Sequence, residues 1–425
     1  MTALPRHLLP ATAAVDAAGR LSVGGLDVLD LAAEFGTPLF VYDETDLRER
    51  ARRAVAAFDD GVAYASKAFL CVAMAALAHE EGLCIDVSTA GELHVALAAG
   101  VPAERLVLHG NNKSTAELAR ALDVGIGRIV VDSDDEITRL EALLQLRHGL
   151  RPRVLVRVTP GVEAHTHEYV MTGQEDTKFG FSLASGAADD AVARLRSLPV
   201  DLVGLHAHIG SQIFRVEGFE AELAVLAPLA TRLGLKELCV GGGLGVPYVT
   251  GEEAPTIEQW ALTVRNAADA AGLDPAVRLT AEPGRSIVAP AAITLYTVGT
   301  IKRLPAIRTY IAVDGGMSDN PRPVLYGSGY ETFLPRATDA DRPAVATVVG
   351  KHCESGDVIV RDARLPADVR VGDVLATPVT GAYGHSMASN YNKVPRPPVV
   401  FVREGNARMV VRRETLDDLL ALDEL

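Results

Sequence analysis

The stretch GVAYASKAFL, residues 61–70, runs from a short apolar segment into a lysine and then into further apolar residues. Val62, Ala63, Tyr64 and Ala65 read as a buried strand and the segment after Lys67 reads as a helix, so the lysine falls at a strand's carboxyl end. An amine there has three options. It can lie along the surface with its head in water, pair with an acid such as Asp86, or, if buried and desolvated, serve as a Schiff-base former.

The same strand-then-helix grammar continues outward. Strand-like runs recur at Cys84–Val87, Leu106–His109, Ile129–Asp132, Val154–Val158, Leu202–His208, Leu238–Gly241 and Val277–Glu282, making eight with the first. Helical segments such as STAELARALDVG, DDEITRLEALLQL, AADDAVARLRSL and FEAELAVLAPLATRLG lie between them. Eight such units predict a (β/α)8 TIM-type barrel, because parallel strands require crossover helices; an open doubly wound sheet is the alternative. Beyond Arg285 the grammar changes to AITLYTVGTIKRL, TYIAVDGGM, AVATVVG, DVIVRD and VVFVRE, which read as strands, with ETLDDLLALDEL as a closing helix. The expectation is a barrel over 36–290, and a mostly-β domain of sandwich or Greek-key type built from 1–35 and 291–425. A chain of 425 residues exceeds what one core serves.

Composition narrows the function. Hydrophobic residues make up 48% and charged residues 23%, an ordinary globular balance. The net charge of −14, with basic residues scattered, disfavours nucleic acid and anionic membrane as partners. The four cysteines, Cys71, Cys84, Cys239 and Cys353, lack metal-type spacing, and the first residues lack the apolar core of a signal peptide. A cytoplasmic setting is expected.

Barrels of this kind do their chemistry at the carboxyl ends of the strands, and the polar residues gather there. Lys67 follows strand 1, Asp86 ends strand 2, His109 ends strand 3 and Arg157 lies near the end of strand 5. His208 and Ser211 follow strand 6, GGGLG (241–245) follows strand 7 and EPGR (282–285) follows strand 8. Gly242 and Gly243 in the first loop, with Gly284 and Arg285 in the second, suit a phosphate. Glu282, ending a buried strand, requires a partner: Arg285 in an ion pair, or the ring nitrogen of a cofactor. A lysine, a phosphate cradle and a carboxylate around one mouth are the three holds needed on pyridoxal 5′-phosphate, with His208 as a ring to stack on it.

YASKAF, HIGSQ, GGGLG, EPGR, GKHCESGD and GAYG, in this order, resemble the fold-type III pyridoxal-phosphate decarboxylases. LHGNNKSTAEL and VEAHTHEYV are similar to the bacterial members that act on diaminopimelate. The resemblance implies that Lys67 carries the cofactor covalently, His208 stacks on it and Glu282 holds its pyridine nitrogen. It gives Asp86, Ser211, Gly242, Gly243, Gly284, Arg285 and Tyr383 to cofactor binding. Arg285, Arg322, Tyr326, Glu354 and Tyr383 go to the substrate. It further implies a homodimer in which Cys353, Glu354 and Tyr383 reach the site of the other subunit, and Cys353 as the proton donor. Glutamate after that cysteine matches the diaminopimelate pattern, where ornithine-type relatives carry aspartate. The implied reaction is decarboxylation of meso-2,6-diaminopimelate to L-lysine, the last step of lysine biosynthesis.

Other readings differ in what they leave unexplained. An ornithine- or arginine-type decarboxylase conflicts with Glu354. A fold-type III racemase would set arginine, not Glu282, against the pyridine nitrogen. A non-catalytic carrier of pyridoxal phosphate would not need the β-rich segment with its CESGD motif. A metal-dependent hydrolase would use His206 with His208, or His165 with His167, as imidazole pairs, but gives Lys67, GGGLG and EPGR no purpose.

Overall fold

The computed structural model describes residues 5–162 and 176–424. They form two compact units, one comprising Arg50–Val246 with Ala254–Ser286, the other Met1–Glu49, Pro247–Glu253 and Ile287–Leu425.

The first unit is the barrel. Its parallel strands are β1 (Ala63–Ala65), β2 (Cys84–Val87), β3 (Leu106–Leu108), β4 (Arg128–Val131), β5 (Arg153–Thr159), β6 (Asp201–His206), β7 (Glu237–Cys239) and β8 (Arg278–Thr280). They pair in sequence order from β1 to β8. The Ala63 and Ala65 amides donate to the carbonyls of Ala281 and Pro283 at 3.0 and 3.2 Å, which joins the last strand to the first. Each expected strand is present, several a residue or two shorter. An additional short strand, Phe181–Ser182, extends the sheet from β5.

The crossover helices start and stop where their side chains dictate. Ser114 and Glu117 form a capping box at the start of Thr115–Val124, and Gly125 ends that helix in the left-handed conformation. Ser133 caps Asp134–Gln145 by accepting from the Glu136 amide.

Inside, the barrel is layered. Ala63, Cys84, Val107, Val130, Leu155, Val203 and Cys239, one residue from each of β1 to β7, form an apolar layer. At the amino ends of the strands, Arg128 makes a two-pronged bond to Glu237 at 2.7 and 2.8 Å, and Arg278 meets the same carboxylate. The inward alternation thus closes one end with paired charge and leaves the other for the polar mouth.

The second unit is mostly β. Ala292–Leu304 is its longest strand. Its first half pairs with Leu39–Asp43 on one side and Val374–Pro378 on the other, while its second half pairs with Arg308–Val313. Ala344–Val349 and Val358–Leu365 extend one end of the sheet, and Val399–Arg403 and Asn406–Val411 the other. Leu39–Asp43, on the barrel side of the expected boundary at 36, lies between Ala292–Leu304 and Val399–Arg403.

The closing helix expected over ETLDDLLALDEL is a correction. Asp418 accepts from the Thr415 amide and hydroxyl, and only Asp418–Leu420 takes a helical turn, of 3-10 type. Leu416, Leu420 and Leu422 are exposed, so no packed face repays helix nucleation in so short a segment.

Candidate active site

The lysine of the opening stretch sits on a turn whose other residues are fixed. Ala65, Ser66, Ala68 and Phe69 are buried, and the Tyr64 hydroxyl donates to the Phe69 carbonyl at 2.6 Å. Lys67, in the 3-10 turn Ser66–Ala68, is exposed between these buried neighbours, so of the three options open to it the amine takes the one with its head in water. It has no hydrogen-bond or ion-pair partner among the described residues. The other lysine of this face behaves oppositely. Lys113 is buried, donates to the carbonyls of Gly110 and Val130 at 2.8 and 2.6 Å and pairs with Glu136 at 2.8 Å. Two hydrogen bonds and an ion pair thus engage the Lys113 amine, whereas that of Lys67 has no such partner among the described residues.

Glu282, just past β8, is held from two sides. One carboxylate oxygen lies 2.9 Å from His206 Nε2. The other receives the Cys239 thiol at 3.2 Å and an ion-pair contact from His109 Nε2, also at 3.2 Å. His109 lies 3.5 Å from Asp86 as well, and its ring meets that of His206 edge-on with centroids 5.0 Å apart. The partners of Glu282 are therefore two imidazoles and a thiol, while Arg285 donates to Ser211 Oγ at 3.0 Å. Sequence reasoning missed His206 and Cys239 as partners of Glu282. The signal was the two-residue period of a strand, which turns His206 at the end of β6 and Cys239 at the end of β7 into the barrel.

Burial and charge compete here. Burial acts to raise the Glu282 carboxyl, but His206 and His109 outweigh it and hold it well below the usual range. Burial, with Glu282 next, pushes Asp86 up to about 7. His109 is pulled down by burial, yet Glu282 and Asp86 together raise it from the ordinary 6.5 to about 9. Burial, and after it Lys67 and Arg157, lowers His208 well below the ordinary value. The mouth thus pairs an ionised Glu282 with a cationic His109 beside neutral His206 and His208.

The loops after β6, β7 and β8 fit together backbone to backbone. The Ile213 amide donates to the Gly243 carbonyl and the Gly245 amide to the Ile213 carbonyl, each at 2.9 Å. A Cβ at Gly242 would stand 2.2 Å from the Glu282 carbonyl oxygen, and one at Gly243, where φ is +103°, 2.2 Å from that of Gly210. The glycines are needed for this close packing in the first place, and it brings Ser211, Gly243, Gly284 and Arg285 into neighbouring loops. The Gly242 amide donates to His208 Nδ1 at 3.2 Å, fixing that ring's position.

The remaining candidates belong to the β-rich unit. Arg322 is buried, with its guanidinium 4.0 Å from the centre of the Tyr248 ring, and donates to Ser328 at 3.1 Å and to the Tyr330 hydroxyl. Tyr326, four residues on in the helix Arg322–Tyr326, is half-buried. Cys353 and Glu354 are exposed on a loop clipped by Asp357, whose carboxylate accepts from the amides of Met317 and His352 at 2.7 and 2.9 Å. Glu354 accepts from the Tyr391 hydroxyl. Tyr383 is half-buried at φ +58°. Of the imidazole pairs weighed for a metal, His206 meets Glu282 and His109 instead of His208. His165, His167 and all but the first residue of VEAHTHEYV lie outside the described residues.

The His109 geometry makes a pH prediction. Its folded value exceeds its ordinary one, so its stabilising contribution is fully present below about 6.5 and is lost as pH rises through about 9. His109→Asn should destabilise the barrel by up to about 3 kcal/mol near pH 6, the gap to wild type closing above pH 9. Denaturant titrations across that range check it; a pH-independent gap would contradict the assigned charge.

Comparison with known proteins agrees with this geometry. The family "Pyridoxal-dependent decarboxylase, pyridoxal binding domain" matches residues 44–289. The chain is 49% identical to diaminopimelate decarboxylase of Mycobacterium tuberculosis (strain ATCC 25618 / H37Rv), covering 99% of this chain and 98% of the relative. It is 48% identical to that of Bacillus subtilis (strain 168), covering 95% of each. Among solved structures, diaminopimelate decarboxylase from M. jannaschii in complex with L-lysine superposes with a TM-score of 0.90 at 32% identity, covering 98% of both chains. With Lys67 and an ionised Glu282 at the carboxyl ends of its barrel strands, and alike over nearly its whole length to these enzymes, the chain belongs to the diaminopimelate decarboxylases of the pyridoxal-dependent family.

Proposed function

We propose that this protein removes CO2 from the D-configured carbon of meso-2,6-diaminopimelate to give L-lysine, using pyridoxal phosphate, as the last step of lysine biosynthesis. The observation that carries the reading is the ionised Glu282 in the barrel mouth that also presents Lys67. L-lysine, bound in the M. jannaschii relative, is the product of this reaction.

The donor set fits the cofactor. Lys67 offers a primary amine for its aldehyde. Glu282 offers a negative charge for a protonated ring nitrogen, and Ser211 with Arg285 offers hydroxyl and guanidinium donors for its phosphate, next to Gly242, Gly243 and Gly284. When bound, pyridoxal phosphate supplies the electron sink that makes loss of CO2 possible.

The protein's part is to orient and to move a proton. With the coenzyme bound, Glu282 would keep positive charge at the ring nitrogen, His208 would offer a flat ring to lie against it, and Asp86 would stand on the Lys67 side of the mouth. Cys353 delivers the proton to the carbon that has lost CO2. The distal end of the substrate is a zwitterion, so Arg322 and Arg285 with Tyr326 suit its carboxylate, and Glu354 with Tyr383 suits its ammonium. Ornithine lacks the distal carboxylate and would leave a buried guanidinium without its partner, which disfavours it.

In the functional protein, a homodimer, Cys353, Glu354 and Tyr383 of one copy complete the site of the other. The exposed place of Cys353 and Glu354 on their loop supports this. No described helix is long and apolar enough to cross a membrane, and Cys71, Cys84, Cys239 and Cys353 form no disulfide among the described residues, which suits a cytoplasmic setting.

Two experiments test these points. Purified protein given pyridoxal phosphate should release CO2 from meso-diaminopimelate at least about a hundredfold faster than from L-ornithine or L-arginine; release from ornithine alone would refute the substrate. Mixing Lys67→Ala and Cys353→Ala protomers, each inactive alone, should restore about a quarter of wild-type activity if sites are shared between two copies. No recovery after subunit exchange would contradict the shared site.

A further inference from the structure

The reaction as read needs Glu282 ionised, and the residues that keep it so have no part in the chemistry described above. His206 is buried at the end of β6, and its Nε2 lies 2.9 Å from one Glu282 oxygen. Its Nδ1 is buried without a hydrogen-bond partner among the described residues. A ring with one nitrogen on a carboxylate and the other in an apolar surround takes the neutral form with the proton on Nε2. The second Glu282 oxygen has only a thiol and His109, and His109 is shared with Asp86. One imidazolium thus faces two acids, and the uncontested hydrogen bond to Glu282 comes from His206.

We propose that His206 is a positioning residue for decarboxylation: its Nε2–H holds Glu282 in the ionised form and fixed orientation that the coenzyme's ring nitrogen requires. The inference rests on the reading of Glu282 given above. Three features support it. The bond spans two strands, β6 and the end of β8, and so fixes the carboxylate to the frame of the barrel. Glu282 is also tied through its main chain, its amide donating to the Gly241 carbonyl at 2.7 Å, which leaves side-chain torsion as the remaining freedom for His206 to remove. Finally, the other charged groups around the pair, Arg157 on β5, Asp86 on β2 and the buried Glu222 on the helix Glu217–Arg232, do not duplicate the bond: Arg157 lies 3.5 Å from Asp132, and Asp86 and Glu222 are acids themselves, while His109, just beyond β3, meets the other Glu282 oxygen.

The test compares holoenzyme with His206→Leu, His206→Gln and Glu282→Gln. Leucine cannot donate a hydrogen bond, whereas a glutamine amide can. His206→Leu should retain coenzyme, lose about tenfold to a hundredfold in kcat with little change in KM, and shift the pH dependence of the coenzyme's visible absorption. His206→Gln should recover most of kcat and the wild-type spectral profile. Wild-type kcat and spectrum in His206→Leu would overturn the proposal, as would equal impairment in both His206 variants, since that would mean the ring only fills space. Glu282→Gln separates the two levels. If it is slow while His206→Leu is not, only the role of His206 fails; if it turns over normally, the reading of Glu282 itself fails. Should His206→Leu not fold, nitrogen NMR of histidine-labelled wild-type holoenzyme decides. A His206 proton on Nε2 throughout about pH 6 to 8 supports the bond, and one on Nδ1, or on both nitrogens, overturns it.

Discussion

A carboxylate that must stay charged at the mouth of an apolar barrel is the constraint around which this site is built. Left alone there, Glu282 would take up a proton, because the ionised form loses its hydration. The fold prevents this with donors from three other strands: His109 beyond β3, His206 on β6 and Cys239 on β7. None of the three is near Glu282 in sequence, so the charge depends on barrel closure. The hydrogen bonds from Ala63 and Ala65 to the end of β8 are therefore as much a part of the site as the imidazoles.

The same requirement shapes the loops. Bringing the end of β8 against the β7 loop places the Glu282 carbonyl where a side chain at 242 would stand, and the glycine run follows from that approach. In the β-rich unit, the candidate residues are likewise held by neighbouring side chains and backbone. Arg322 is fixed by Tyr248, Tyr330 and Ser328, and the loop carrying Cys353 and Glu354 is clipped by Asp357. Both units place their candidate functional groups on backbone that is over-determined around them.

The architecture was legible because period and spacing record it. Eight apolar runs separated by helical segments specify a closed parallel sheet, and the motifs fell at the carboxyl ends of those strands. What was not legible depended on long-range pairing. Leu39–Asp43 reads as an apolar run in either unit, and only its ladders with Ala292–Leu304 and Val399–Arg403 settle its sheet. The terminal segment carries a helical pattern, yet finds no surface on which to bury its leucines. Sequence left Lys67 open to a buried or an exposed place, and the turn Ser66–Ala68 between buried neighbours sets it outward. Glu282 clearly needed a partner, but Arg285, three residues away, was the nearer candidate in sequence, while His206 is the partner brought by the fold.

The proposed reaction requires that the amine of Lys67, and not that of the buried, ion-paired Lys113, carries the coenzyme. Borohydride reduction of the pyridoxal phosphate-loaded protein, followed by peptide mapping, reads this directly. A single pyridoxyl label on Lys67 is the expected result. A label on another lysine, or none at all in protein that binds the coenzyme, would contradict it.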